Sequence, residues 1–479
     1  MSGDAERGEV AMADKTGPTA LRDTRPTISR TTWLVIVLLA FVGQVAWAVE
    51  NNFLNLFVQD SFGASLQDVA LMVSASALTA TLTTLFVGAW SDRVRRRKVF
   101  VVAGAALWGV SIIGFAAIQG ISDALSPDAA QAARMGVTLT IIFDCVMTFF
   151  GSLSNDAAFN AWLTGVTDET NRGRVEGVNS AMPLIAMLAV FGGAMALMHV
   201  GDDGTVTYDY PSLFVAVGVL VGAAAVVAGV LMRDSHPAPT VEQAWLHGVA
   251  RGFSPAAMRE NPVLYLVLLG YCIFSTALQV FMPYYVLYLR LPYVLGEGYV
   301  FVMAPGIVIA AVFTIFYGRR LDRLGFERAV RLPLALFVAG CLVLTLLTSV
   351  AGVFVGSVLM LCGYLGAVAC FAAEVRNNTP ADRAGVLQGV RMFMVVLVPM
   401  LVGPWIGSAV SSGSGAIGGF GVVGDGFTPS SLIFLAGALV SLAVVPTLAA
   451  IGRRRTGGAL TTRLVLMRRN SPEWGFHTA

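Results

Sequence analysis

Long runs of apolar residues, separated by short polar or Gly/Pro-rich breaks, dominate the chain. They fall at about 33–58, 68–90, 99–119, 135–165, 175–199, 211–232, 262–289, 296–318, 329–350, 351–374, 385–410 and 429–450. A helix needs roughly 20 such residues to cross the hydrocarbon of a bilayer, and every run approaches or exceeds that length. The runs are continuously apolar and lack the alternation of a membrane barrel. The pattern therefore predicts an all-α polytopic membrane protein with twelve transmembrane helices. Its weakest boundary divides the ninth and tenth spans, where only Ser349-Val350-Ala351-Gly352 intervenes.

Composition strengthens this reading. The 479 residues are 56% hydrophobic and 13% charged, against about 25% charged in soluble domains. So little charge cannot cover a water-soluble protein of this size. The net charge of +2 is not pooled in one patch, so no nucleic-acid partner is expected. Cys145, Cys272, Cys341, Cys362 and Cys370 all lie inside apolar runs without metal-ligand spacing, as packing residues do. Ala46-Trp47-Ala48 has the small-residue pattern of a signal cleavage site. The first run is nevertheless long enough to span, and it is expected to be retained.

Placement of the basic residues orients the spans. Of 31 Lys and Arg, only Arg134 and Arg290 fall on the side of the loops that follow odd-numbered spans. The positive-inside rule puts the other loops and both termini in the cytoplasm. A multi-pass protein of a cell membrane follows, such as a bacterial inner membrane.

The chain also repeats itself. Gly88-Ala89-Trp90-Ser91-Asp92-Arg93 after span 2 and Gly318-Arg319-Arg320-Leu321-Asp322-Arg323 after span 8 share Gly-x-x-x-Asp-Arg, 230 residues apart. Asp168 to Gly177 between spans 4 and 5 is echoed by Asp382 to Gly389 between spans 10 and 11, with Arg172 and Arg383 offset by 211. The difference matches a long loop, Gln119 to Arg134, expected only in the first half. The expected organisation is a disordered tail (1–32), a six-helix half (33–232), a linker (233–261), a second half (262–450) and a cytoplasmic tail (451–479), the halves being parallel pseudo-symmetric repeats.

Gly88-x-x-x-Asp92-Arg93, followed by Arg95-Arg96-Arg97-Lys98, resembles the signature between the second and third helices of the major facilitator superfamily. The copy at Gly318 to Arg323 stands where that family repeats it. Val94-Arg95 replaces the usual Gly-Arg. The Asp-x-x-x-Arg-Gly core of Asp168 to Gly177 is loosely similar to the glycoside–pentoside–hexuronide:cation symporter branch. The Gly-Pro-x-x-Gly-Gly of drug/proton antiporters is missing from span 5. The resemblance implies the major facilitator fold, and a latch at the cytoplasmic face that closes when the cavity opens outward. Gly88, Asp92, Arg93, Asp168, Arg172, Arg174, Glu176, Asp322, Arg323, Arg383 and Arg391 are its candidate members. As a topology signal or lipid anchor, each arginine would need no latch partner.

Polar groups within spans are costly and usually face a cavity. Gln44, Asn51 and Asn55 share one face of span 1, with Glu50 beside them. Asp144 lies about nine residues into span 4, and Asn155 nearer its cytoplasmic end. Gln279 and Tyr284 flank Pro283 in span 7. These eight residues are expected to line a substrate and ion cavity, with Glu50 and Asp144 as protonatable groups. The opposing readings are a solvated helix end for span 1, hydroxyl-satisfied packing for Asp144 and an interfacial aromatic belt for span 7.

Together these features predict a secondary transporter that works by alternating access, taking up a small polar solute such as a sugar with H+ or Na+. An exporter of amphipathic compounds by proton antiport is the alternative. No phosphate-binding loop, metal cluster or Ser/His pairing appears around His199, His236, His247 and His477. An enzyme is therefore not expected, nor a cofactor or metal beyond the coupling ion. The expected partners are the solute and the lipid bilayer, around a monomer.

Overall fold

Among the described residues twelve long apolar helices cross the molecule, with bounds close to those the hydropathy pattern gives. They run Arg30–Phe62, Leu66–Val87, Arg97–Leu125, Ala129–Val166, Arg174–Ala196, Tyr210–Leu231, Pro262–Leu289, Gly296–Gly318, Phe326–Leu346, Val350–Asn378, Gly389–Ser412 and Leu432–Arg455, and are called spans 1 to 12. The computed structural model describes residues 28–94, 96–167, 171–200, 206–234, 252–379, 384–413 and 424–455. Positions 1–27 of the tail expected to be disordered lie outside that set, whereas its last residues are ordered, because Ser29 caps a helix that starts at Arg30.

Polar caps set the helix ends at the two membrane faces. Ser29 accepts from the Thr32 amide at the start of span 1, Asp128 from Ala130 at span 4 and Asp209 from Ser212 at span 6. The hydrogen bonds from the Ser212 side chain and amide hold the Asp209 carboxyl below its ordinary pKa. Ser349 accepts from Gly352 and opens span 10, so the weak boundary in the sequence is a capped turn. The long loop expected over Gln119 to Arg134 is instead almost entirely helical. Span 3 runs to Leu125 and span 4 starts at Ala129, because Ile118 and Ser122 bury a continuing helical face. A short hairpin, β1 (Met198–Val200) paired antiparallel with β2 (Val206–Tyr208), joins spans 5 and 6.

Lipid supplies no hydrophobic force between helices, so close packing must come from small residues. A Cβ on Gly109 would lie 2.7 Å from the Gly218 carbonyl oxygen, so spans 3 and 6 meet backbone to backbone. In the second half a Cβ on Gly363 would lie 2.3 Å from the Phe337 amide nitrogen, locking span 10 to span 9. Backbone cannot swing aside as a side chain can. Gly363→Val should therefore cost about 1–3 kcal/mol by overpacking. Thermal unfolding in detergent would show a midpoint several degrees lower, whereas an unchanged midpoint would contradict this packing.

The two halves touch mainly near the face that carries the odd-numbered loops. There Asn55 donates to the Pro283 carbonyl (3.2 Å), and the Tyr284 hydroxyl donates to Leu66 O (3.1 Å) or Pro404 O (2.7 Å). The Leu66 amide bonds Gly426 O at 2.9 Å, and Gln59 bonds Phe427 O. Toward the face that carries both termini the halves part around a cavity.

Candidate functional site

Helix irregularities concentrate where the cavity lies. Span 1 widens to a π-helix over Val49–Leu54, span 4 over Ser152–Phe159 and span 11 over Phe393–Leu397. Span 7 breaks between Gln279 and Met282, before Pro283. Wide turns and breaks free backbone groups and re-aim side chains, which is why they recur at functional sites.

The cavity has two chambers. A larger one of about 880 Å³ opens toward the terminal face, between spans 1, 2, 4 and 5 on one side and spans 7 and 11 on the other. A smaller one of about 390 Å³ lies deeper. Trp47, Glu50, Asn51, Ser76, Gln279 and Met400 border both. The walls differ in chemistry. Span 4 contributes Thr148, Asp156, Asn160, Thr164 and Thr167 to the larger chamber, while span 11 faces them with Gly389, Met392, Val396 and Met400.

Glu50 sits at the junction. Its Oε1 accepts from Ser76 Oγ (2.8 Å) and Thr148 Oγ1 (3.0 Å), and those two hydroxyls lie 2.8 Å apart. Its Oε2 is buried without a donor. Asp144 is 2% exposed and stands beside Ser76 and Glu50, and its Oδ1 also lacks a donor. Among the described residues no Lys, Arg or His borders either chamber. Carboxyl groups within a span that face no cationic partner are expensive, and structure alone gains nothing from them.

The candidate cavity residues separate as follows. Gln44, Glu50, Asn51, Asn55, Asp144 and Gln279 border the deep chamber. Asn155 does not: its amide donates to Asp156 at 3.3 Å while its Oδ1 fills the notch over Gly43, because the π-helix turns it toward span 1. Tyr284 does not line it either. Packed on Gly407, it is fully buried between the halves, so its bulk closes the odd-loop face. Tyr285 and Tyr364 border the deep chamber instead.

Of the latch candidates, Gly88, Asp92 and Arg93 occupy the last turns of the helix Leu66–Val94, and Asp322 and Arg323 the last turns of Tyr299–Leu324. Their side chains lie outside the description, as does that of Arg172 at the start of its helix. Asp168 and Arg383 fall outside the described residues altogether. The Arg174 guanidinium lies 5.1 Å over the Trp33 ring, and Arg391 stands beside Tyr271, so both engage their own half in this open state. Glu176 borders the mouth of the larger chamber.

The opposite face carries a cluster that the sequence did not single out. Arg290 pairs with Asp60 of the other half at 2.8 Å and with Glu297 at 2.9 Å. The Tyr210 hydroxyl donates to Asp60 (2.5 Å), and that of Tyr208 to Glu297 (3.1 Å). Burial pushes the Tyr208 hydroxyl up to about 12, so it remains a donor at any physiological pH. Burial works against the Arg290 charge, but Asp60, Tyr210 and Glu297 together outweigh it and raise the guanidinium further. Arg290 was visible as one of two basic residues on its side, and Glu297 is only seven residues on, but Asp60 lies 230 positions away, too far along the chain to be inferred.

Comparison with known proteins now bears on this architecture. A model described as Major Facilitator Superfamily matches residues 36–404. The nucleoside transporter NupG is similar with a TM-score of 0.62 at 13% identity, over 87% of this chain and 98% of its own. A bacterial homologue of the human lysosomal transporter Spinster, in an inward-facing unoccupied conformation, gives 0.60 at 15% identity, over 89% and 96%. Identities this low speak for the fold and not for a substrate. No curated protein sequence matches the chain. With the family model spanning well over half its length, the chain belongs to the major facilitator superfamily of membrane transporters.

Proposed function

We propose that this transporter moves a small polar solute, of the sugar or glycoside class, inward with a proton carried by Glu50. The observation that carries the reading is the hydroxyl-bound Glu50 beside Asp144, in a cavity whose described lining has no basic residue. A bound proton would neutralise such a site, and its release would restore the charge. The distribution of Lys and Arg makes the terminal face cytoplasmic. The state described is then inward-open, and rocking the halves about the cavity would expose Glu50 to the other side. Gln44, Asn51, Asn52 and Gln279 offer amide groups to solute hydroxyls, and Trp47, Tyr285 and Tyr364 offer ring faces.

A second reading has an observation of its own. Met72, Met187, Met282, Met303 and Met400 also border the deep chamber, and flexible thioethers suit varied apolar bodies. They favour an exporter of amphipathic compounds by proton antiport.

A stabilisation screen of the purified protein over sugars, with and without sodium, tests the solute. Saturation at a hundred times the dissociation constant adds about 2.7 kcal/mol, so the right sugar should raise the unfolding midpoint plainly, without needing sodium. No shift with any sugar would sink the sugar reading. A shift only with sodium would replace the proton as coupling ion.

A further inference from the structure

Asp156 has no part in the coupling site just described, yet it stands in the wall of the open chamber. Its Oδ2 accepts from Ser152 Oγ at 3.1 Å, and its Oδ1 from Asn155 Nδ2 at 3.3 Å. It borders only the larger chamber, Asp144 only the deep one, and Glu50 both. Three carboxyl groups thus descend from the closed end of the cavity toward the open face, with Glu50 in the middle.

Span 4 builds this descent on a strict spacing. Asp144, Thr148, Ser152, Asp156, Asn160 and Thr164 follow one another at intervals of four. In a regular α-helix, positions four apart creep about 40° around the axis per step. Five such steps would turn the stripe to the far side of the helix. The π-helical stretch Ser152–Phe159 has wider turns, so four residues there fall short of a full turn and the creep is reversed. Thr148, Asp156, Asn160 and Thr164 consequently all reach the larger chamber. Below Asp156, Asn160 donates to Asp156 O (3.2 Å) and Thr164 to Asn160 O (2.9 Å), which leaves the Asn160 side-chain carbonyl free to accept from solvent.

We infer that Asp156 is a proton relay between Glu50 and the cytoplasm, placed by the π-helical register of span 4. The inference rests on the coupling role given to Glu50 above. In the inward-open state the proton leaves the Glu50 carboxyl for water in the chamber, and the Asp156 carboxylate takes it up. Asp156 then returns it to water at the mouth, so the step ends with Glu50 as carboxylate, Asp156 as carboxylate and one proton in the cytoplasm. Among the described residues the other charged group on this route is Glu176 of span 5 at the mouth, and the facing stretch of span 11 supplies only Gly389, Met392, Val396 and Met400. Asp156 acts through Glu50 and is a positioning residue for the proton, not a ligand of the solute.

Protonation of Glu50 can be followed without any solute, by time-resolved infrared spectroscopy of the purified protein in lipid nanodiscs after an acid pH jump. The carboxyl band lost in Glu50→Gln identifies Glu50. In Asp156→Asn that band should rise about tenfold more slowly than in the wild type, and Asp156→Glu should restore the rate. An unchanged rate in Asp156→Asn would overturn the relay. Equal slowing in Asp156→Glu would overturn it too, since a structural disturbance would then explain both. A wild type in which the Glu50 band never responds to pH would instead remove the coupling role of Glu50, on which the relay depends.

Discussion

Glu50→Gln is expected to abolish solute accumulation while leaving exchange of solute across the membrane intact. One charge crossing 100 mV is worth about 2.3 kcal/mol, and each 1.36 kcal/mol is a factor of ten. A transporter that moves one proton per neutral solute can therefore accumulate it about 50-fold at that potential. Glutamine keeps the shape of the side chain and can still accept from Ser76 and Thr148, the two hydroxyls that meet Glu50. It cannot bind and release a proton. Accumulation should fall to the level set by the outside concentration, and counterflow of labelled solute should persist because the cavity is unaltered. Loss of both activities would assign Glu50 to solute binding. Undiminished accumulation would leave it with no coupling role at all.

Arg290→Ala is expected to unlatch the odd-loop face and shift the transporter away from the state open at the terminal face. Arg290 ties Asp60 of the first half to Glu297 of the second, and without it two carboxylates confront each other across the closed gate. Truncating one partner of a buried charge pair costs about 2–5 kcal/mol. Asp60 is 32% and Glu297 24% exposed on their side chains, so solvent screening puts the effect near the lower end. A shift of at least about tenfold toward the state open at the odd-loop face should result. Arg290→Lys should recover part of the loss, since it keeps the charge but not the fork that serves two acids. The check is labelling of Asn52→Cys, in the deep chamber, by an impermeant maleimide added on the odd-loop side, with Cys145 replaced by alanine. Faster labelling in Arg290→Ala supports the gate, and an equal rate contradicts it.

Much of the fold was legible in the sequence because each span carries its own signal. An apolar run of sufficient length must be a helix in lipid, whatever its neighbours. Most of the span-1 cluster, with Asp144 and Gln279, was legible for a similar reason, since mid-membrane polar groups have few places to go except a cavity. Tyr284 was not legible. Its neighbours in sequence look like those of Tyr285, and only packing on Gly407 and the bonds to Leu66 and Pro404 separate a gate residue from a cavity residue. Asn155 was misplaced because its direction depends on a π-helical register that apolar periodicity does not record. The Asp60–Arg290 pair joins residues 230 positions apart in opposite halves, so no local pattern could announce it. The hydroxyls of Ser76 and Thr148 were passed over because Ser and Thr are cheap in membrane helices, where they bond their own backbone. The fourfold spacing from Asp144 to Asp156 was present to be read, but its meaning required knowing that span 4 is not a uniform α-helix.

With Glu50 as the proton carrier, solute and proton cross together through the chamber. A pH-sensitive dye trapped inside vesicles containing the purified protein reports this joint crossing when the solute found in the stabilisation screen is added outside. Solute entry should acidify the interior with one proton per molecule, and Glu50→Gln vesicles should admit solute by exchange with no acidification. Entry of solute with no acidification in the wild type, or equal acidification in Glu50→Gln, would contradict it.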